Sequence, residues 1–166
     1  MKLELIDIFS NSGAVKRFEG DLNFDGESLD EMGVSFEGPV HVKGRAENIG
    51  GQVEISANVT AKIATNCARC MKDIFKDVDF DYVEKLAGSG VTLQDGDDVI
   101  LLEGTEVDIA DLTLNNFITV SPMKYLCKED CKGLCPHCGA DRNHTDCDCE
   151  NDITDPRFDV LNNLFK

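Results

Sequence analysis

Eight cysteines, arranged in four close pairs, constrain this chain more than any other feature of its 166 residues. Two thiolates a few residues apart can bind one ion if the backbone turns between them, and zinc favours four thiolates around it. The four pairs therefore predict two structural zinc ions. The predicted ligands are Cys67, Cys70, Cys127, Cys131, Cys135, Cys138, Cys147 and Cys149.

The four pairs can be combined into two four-thiolate sites in three ways. The shortest closure along the chain joins the 135/138 pair with the 147/149 pair. Pro136 fixes φ for a tight turn between Cys135 and Cys138, and Gly139 tolerates the positive φ that often follows such a turn. The 127/131 pair then closes with the 67/70 pair across the fold, at an entropic cost that grows slowly with loop length. This partition predicts that one ion joins the C-terminal part of the chain to its body.

Other uses of these residues stay open from the sequence alone. Four disulfides, free thiols, an iron–sulfur cluster and a redox dithiol share parts of the pattern. The clustering of the cysteines at metal-ligand spacings favours zinc. A redox C-x-x-C usually lies at the start of a helix, whereas residues 67–70 lie between two predicted strands, which disfavours a redox dithiol. His137 and His144 are weaker ligand candidates, and His41 is predicted on the surface of a strand.

The chemistry of such sites predicts that the protein is not an enzyme. A zinc ion enclosed by four thiolates has no open position for water or substrate. The sequence also contains neither a nucleophile elbow nor a phosphate-binding glycine loop.

The charge of the chain bears on its partners. With 32 Asp or Glu against 16 Lys or Arg, its formal charge is −16. Such a surface repels a nucleic-acid backbone and favours a basic protein partner. Direct contact with RNA would depend on the few basic residues near the cysteines, which are Lys124, Lys128, Lys132, Arg142 and Arg157. No apolar run approaches 18 residues, and residues 1–7 do not resemble a secretory signal, so we expect a cytoplasmic protein without a membrane partner.

Alternation of apolar and polar residues predicts a β-rich body over residues 1–86. The predicted strands cover residues 2–9, 16–24, 34–42, 53–63 and 74–82. Residues 48–51 supply the turn of one long hairpin, and residues 67–70 form the tip of the next. One face of each arm is expected to be buried and the other exposed.

The second half of the chain has a different pattern. Residues 87–107 predict a flexible acidic connection with a short strand at 99–102. Residues 108–166 predict a helix capped by Asp108, a zinc-ribbon-like module, and a C-terminal helix that begins after Asp155. Together the two halves predict an α+β fold, with long antiparallel hairpins followed by a zinc module and short helices.

The cysteine motifs resemble those of the YceD family. Residues 67–70 match its C-x-R-C at the end of a long strand, and residues 127–139 are similar to the C-terminal motif of its Gram-positive-type members. Cys147-Asp148-Cys149 and residues 155–158 follow in the expected order. Arg142-Asn143 stands where the family has Leu-Asn, a departure that concerns packing rather than ligation.

The resemblance implies a function that composition and spacing do not reveal. The family is described as large ribosomal RNA subunit accumulation protein, which implies a non-enzymatic factor that helps to process, stabilise or assemble that RNA. Its implied partner is a ribosome-assembly protein or a basic ribosomal protein, and direct contact with ribosomal RNA is the alternative. A zinc-ribbon nucleic-acid binder and a thiol redox or metal-sensing protein are the competing functions.

Overall fold

A computed structural model describes residues 1–24, 29, 32–88 and 98–149. The elements are β1 (Lys2–Glu4), α1 (Ile6–Ser10), β2 (Val15–Leu22), β3 (Val34–Phe36), β4 (Val40–Ile49), β5 (Gln52–Asn66), β6 (Asp73–Gly88), β7 (Ile100–Leu102), β8 (Glu106–Asp108) and α2 (Ile109–Val120). This β-rich arrangement with two short helices confirms the α+β fold. Among the described residues, neither helix is long and apolar enough to cross a membrane.

One large sheet forms the body of the protein. Its strand order is β2-β4-β5-β6-β7, and β3 pairs with β5 beyond the end of β4. Neighbouring strands are antiparallel, except that β7 runs parallel to the end of β6. A second, two-stranded sheet pairs β1 with β8.

Two long hairpins dominate the sheet, as the alternation predicts. The turn between β4 and β5 is made by Gly50 and Gly51, whose φ angles of +65° and +92° suit glycine. The next hairpin pairs β5 with β6 from Val53 opposite Leu86 to Asn66 opposite Asp73. Residues 67–72 connect these strands, so the first cysteine pair lies at the hairpin tip.

Two of the predicted strands are wrong in part. Residues 2–9 were expected to be a single strand, but β1 ends at Glu4 and a helix follows. The apolar residues Leu5, Ile8 and Phe9 have helical spacing, and the backbone N–H groups of Ile8 and Phe9 donate to the Leu5 carbonyl at 3.0 and 2.9 Å. This local pattern outweighs the alternation that precedes it.

The predicted strand at 34–42 is two strands. β3 ends at Phe36 and β4 begins at Val40. Between them, Gly38 adopts a φ of +92° and is followed by Pro39, which has no backbone N–H to donate to a neighbouring strand. The alternating pattern continues across this break because both strands bury the same face of the sheet.

Helix α2 packs against the sheet and begins as the sequence predicts. The Asp108 side chain accepts a hydrogen bond of 2.9 Å from the Ala110 N–H and caps the helix. Ile109, Leu112 and Phe117 are buried against the sheet, whereas Ile118, which shares their predicted apolar stripe, is 42% exposed. The predicted C-terminal helix and most of the acidic connection lie outside the described residues.

Gly44 of β4 lies on the buried face of the sheet, where there is no room for a side chain. A Cβ atom at Gly44 would lie 2.5 Å from the Phe18 ring, 2.6 Å from the Ser56 carbonyl oxygen and 2.8 Å from the Ala57 Cβ. Phe18 lies opposite Gly44 on β2 and covers it. The glycine therefore permits close packing of the ring on the sheet.

We expect Gly44→Ala to lower the free energy of unfolding by about 1–3 kcal/mol, because the added methyl group overpacks this contact. Gly88→Ala is the matched control, since a Cβ there meets no described atom within 4 Å and φ is not positive. Its effect should stay within about 0.5 kcal/mol. Denaturant unfolding measures both variants, and equal stability of the two would contradict the packing argument.

Candidate metal centre

Two cysteine knuckles in this protein have the same backbone hydrogen bonds. At the hairpin tip, the Cys67 N–H donates to the Lys72 carbonyl at 2.8 Å, and the Met71 N–H donates to the Cys67 carbonyl at 2.9 Å. The turn brings the Cys70 thiol back beside the Cys67 thiol. The connection between the two strands thus places two thiols side by side.

The second knuckle repeats this arrangement at the same sequence spacing. The Cys135 N–H donates to the Ala140 carbonyl at 2.8 Å, and the Gly139 N–H donates to the Cys135 carbonyl at 2.9 Å. The fifth residue of each knuckle has positive φ, +59° at Met71 and +74° at Gly139. The C-terminal module therefore repeats the geometry of the hairpin tip.

The structure brings the hairpin tip and the first C-terminal pair together. The Sγ atoms of Cys67, Cys70, Cys127 and Cys131 all lie within 4.8 Å of one another. The Sγ atom of Cys67 is 3.8 Å from that of Cys131, and the Sγ atom of Cys70 is 3.7 Å from that of Cys127. Three of these residues are buried and Cys127 is half-buried.

These distances fit a metal site. A bonded disulfide would hold two sulfurs about 2.05 Å apart. Four sulfurs at about 2.3 Å from a central zinc form a tetrahedron whose edges are about 3.8 Å long. All eight cysteines are free. The first cluster, Cys67, Cys70, Cys127 and Cys131, can therefore hold a metal ion without rearrangement of its sulfurs.

The second cluster consists of Cys135, Cys138, Cys147 and Cys149, whose Sγ atoms also lie within 4.8 Å of one another. Cys135 is buried, Cys138 is exposed and the other two are half-buried. This cluster lies closer to solvent than the first. The four pairs thus meet in the combination that the shortest sequence closure predicts, and their ligation of metal stays a prediction.

Hydrogen bonds favour ionisation of the leading cysteine of each knuckle. Burial alone would raise the pKa of the Cys67 thiol, but it is lowered to about 6 by backbone N–H groups, which belong to Cys127, Arg69 and Cys70. In the second knuckle, backbone N–H groups of Cys138 and His137 lower the pKa of Cys135 to about 6. Each cluster therefore has one thiol that readily becomes a thiolate.

The remaining sulfurs behave differently. Burial, followed by the neighbouring thiols, raises the pKa of Cys127 to about 12. The adjacent Cys138 thiol, followed by burial, raises the pKa of Cys149 to about 12. Four thiolates in one cluster repel one another unless a cation lies between them. A divalent ion would supply that charge, and its binding would release protons.

Arg69 fastens the hairpin tip to the C-terminal module. Its guanidinium donates to the Cys131 carbonyl at 2.7 Å and to the Glu129 carbonyl at 3.4 Å. Its own carbonyl accepts the Leu134 N–H at 3.0 Å. Gly133 lies against it with a φ of +73°, and a Cβ there would be 2.9 Å from the Arg69 carbonyl oxygen. These contacts hold the hairpin tip against the segment that contains Cys131.

Asn143 lies between the two cysteine pairs of the second cluster in the sequence and hydrogen-bonds to the first cluster. Its side-chain amide donates to the Cys131 sulfur at 3.4 Å, and its side-chain oxygen accepts the Lys132 N–H at 2.9 Å. Asp141 accepts from both the backbone and the side chain of Asn143, which lowers the pKa of that carboxyl group. Groups that hydrogen-bond to ligating atoms orient a metal site and tune its affinity.

Cysteine spacing predicts which sulfur atoms come together, but it does not predict that Arg69 and Asn143 hydrogen-bond around them. Arg69 lies between two ligands of a hairpin tip, and Asn143 follows Asp141 at the spacing of a local side-chain turn, so each has a weak sequence signal. Among the described residues, none of the three histidines belongs to either cluster. His41 lies on the exposed face of the sheet, where its Nδ1 atom is 2.9 Å from a carboxylate oxygen of Asp21.

The family model "Large ribosomal RNA subunit accumulation protein YceD" matches residues 55–165, a span that includes both clusters. This chain belongs to the YceD family. The matched YceD region begins within β5 and includes the whole hairpin tip.

Two curated relatives also match this YceD-family chain. It is 26% identical over 129 residues to Bacillus subtilis "Uncharacterized protein YlbN", covering 77% of this chain and 75% of that protein. It is 24% identical over 115 residues to Mycobacterium leprae "Uncharacterized protein ML1660", covering 67% of this chain and 52% of that protein. The second alignment thus spans about half of the relative's length. No solved structure matches the chain.

The knuckle of the YceD C-x-R-C motif contains a strained residue. Met71 has a φ of +59° and is 63% exposed, so its side chain gains little from packing. A residue with a Cβ atom is disfavoured in this region, whereas glycine is not. The corresponding residue of the second knuckle is Gly139.

We expect Met71→Gly to raise the free energy of unfolding by about 0.5–1 kcal/mol, because it removes this backbone strain. Met71→Ala is the matched control, since it shortens the side chain but keeps the Cβ atom, and it should change stability little. Thermal unfolding of the metal-loaded proteins measures the difference. Equal stability of the glycine and alanine variants would contradict this assignment of strain.

Proposed function

We propose that this protein is a non-enzymatic zinc-binding factor of ribosome biogenesis that acts in the cytoplasm. In this proposal it supports the accumulation of large-subunit ribosomal RNA through contacts with another protein. The observation that carries the proposal is the match of residues 55–165 to the YceD family, whose description names that RNA. The two cysteine clusters and the acidic charge support the choice of cofactor and of partner.

The donor set supports zinc in particular. Each cluster offers four thiolates and no imidazole or carboxylate. Zinc accepts this set in a closed tetrahedron, and such closed sites are typically structural. Cys67, Cys70, Cys127 and Cys131 would hold one ion, and Cys135, Cys138, Cys147 and Cys149 the other. An ion enclosed in this way has no free position for a reacting water molecule, which supports a role outside catalysis.

The charge near the clusters supports a protein partner over RNA. From residue 124 to residue 149 the chain has four Lys or Arg against five Asp or Glu. Each zinc ion with four thiolates would add a charge of −2 to this balance. A phosphate backbone gains little from such a surface, whereas a basic ribosomal protein is attracted to it.

Separate substitutions in the two clusters test the proposed zinc ions. We expect Cys67→Ser to lose one of two ions and Cys147→Ser to lose the other, because each removes one ligand from a different cluster. Structural zinc contributes about 10–16 kcal/mol in small zinc-finger peptides, so the affected part should unfold locally. Elemental analysis and limited proteolysis measure both effects. The partition is wrong if Cys67→Ser retains both ions or if both variants lose the same ion.

Ribosomal RNA levels test the proposed cellular role. We expect a deletion strain to accumulate less mature large-subunit RNA than its parent, with small-subunit RNA less affected. A plasmid-borne wild-type copy should restore the level, and the tagged protein should co-purify with large-subunit precursors. Unchanged precursor and mature large-subunit RNA in the deletion strain would refute the proposal. Salt-sensitive binding of purified ribosomal RNA would instead support direct RNA contact.

A further inference from the structure

Strand β6 has a long backbone edge without a partner strand among the described residues. On one side, β6 pairs with β5 from Asp73 to Leu86. On the other side, β7 covers only residues 86–88. No described residue hydrogen-bonds to the backbone of residues 73–85 on that second side. Open edges of this kind can pair with a further strand.

The outer face of this edge carries a column of like charges. Asp77, Asp79 and Asp81 alternate along β6, are exposed, and lie roughly 7 Å apart in succession. The Asn58 amide donates to Asp79 at 2.8 Å and to Asp81 at 3.0 Å. None of the three aspartates forms an ion pair with a described Lys or Arg. Lys62 lies opposite Asp77 in the β5–β6 register, and Lys43 and Arg45 line one pocket with Asp81. The mutual repulsion of the aspartates is therefore only partly compensated within the described chain.

The opposite face of the same edge is apolar. A groove of ≈ 300 Å³ runs between β6 and the end of α2. Its apolar lining consists of Val78, Phe80, Phe117, Val120, Pro122 and Tyr125. Asp77 and Asp79 border this groove from the outer face. The edge thus separates a negative surface from an apolar one.

We propose that this edge binds an extended, basic segment of a partner protein as an added β-strand. Successive side chains of a strand point to opposite faces, so a segment with Lys or Arg at alternate positions would place them beside the aspartate column. Apolar residues between them would enter the groove. The same edge of a second copy does not fit, because its own aspartates would face the column. The inference rests on the proposed function in one respect, since it gives the basic partner a docking surface.

Synthetic peptides test this pairing on the zinc-loaded full chain. One peptide alternates Lys and Val over eight residues, and its isomer has four Lys followed by four Val. We expect the alternating peptide to bind about tenfold more tightly by fluorescence anisotropy, because only it presents charge and apolar groups to opposite faces. Amide resonances of residues 73–85 should shift on binding. Equal affinities of the two peptides would overturn strand addition.

N-methylated peptides separate backbone pairing from simple charge attraction. Only alternate N–H groups of an added strand face β6. Methylation of one alternate set should therefore abolish binding, whereas methylation of the other set should be tolerated. Equal binding of the two methylated peptides would overturn the proposal.

A charge reversal with a matched control tests the aspartate column. Asp77→Lys with Asp79→Lys should weaken binding of the alternating peptide at least about tenfold. Asp7→Lys with Glu37→Lys changes the net charge equally at exposed positions on neither β6 nor β7 and should change affinity less than about twofold. Equal losses in both proteins would show only a general charge effect and overturn the proposed surface. Thermal unfolding verifies that both proteins are folded.

The peptide and cellular experiments test the binding surface and the proposed function separately. Absent peptide binding together with lost large-subunit RNA in the deletion strain would refute this surface and leave the proposed function intact. Specific peptide binding together with normal RNA levels in the deletion strain would refute the proposed function and leave the surface intact.

Discussion

The tip of the β5–β6 hairpin and the segment that follows α2 are held together by backbone groups as well as by facing sulfurs. The Ala68 N–H donates to the Tyr125 carbonyl at 2.9 Å, and Arg69 donates to the Cys131 carbonyl at 2.7 Å. Because the hairpin arms are locked in register along β5 and β6, the tip is a fixed point. The position of residues 125–149 relative to the sheet depends on this contact. Asn143, which lies between the two cysteine pairs of the second cluster in the sequence, hydrogen-bonds to Cys131 of the first.

The body of the fold was largely predictable because its physical signals are local. Strict alternation over residues 53–63 of β5 and alternation over residues 77–82 of β6 specify which face is buried, and two glycines with positive φ specify one turn. The N-terminal helix was missed because Leu3 and Leu5 alternate and apolar residues continue to Phe9, although Leu5 and Ile8 have the three-residue spacing of one helix face. The pairing of β1 with β8 joins residues far apart in the chain, and alternation does not indicate which strand pairs with which.

The candidate site was predictable where chemistry demands a fixed spacing. A pair of thiolates needs a tight turn between them, so the four pairs were visible in the sequence. The residues that hold the pairs together were not, because Arg69 and Asn143 act through main-chain oxygens, main-chain N–H groups and one sulfur atom. Any segment supplies such backbone groups, and their position depends on the complete fold. Met71 was missed for a related reason, since nothing in the residue type indicates its positive φ.

The sequence separation within the first cluster orders events during synthesis. Cys67 and Cys131 are 64 residues apart, and at about 5–20 residues per second their translation is separated by about 3–13 seconds. During that interval the emerging hairpin offers only half of a coordination shell. The second cluster spans residues 135–149, whose translation takes about 1–3 seconds at the same rate. If the clusters bind metal as proposed, uptake at the first cluster waits until the segment after α2 meets the hairpin tip, whereas uptake at the second depends only on a local segment.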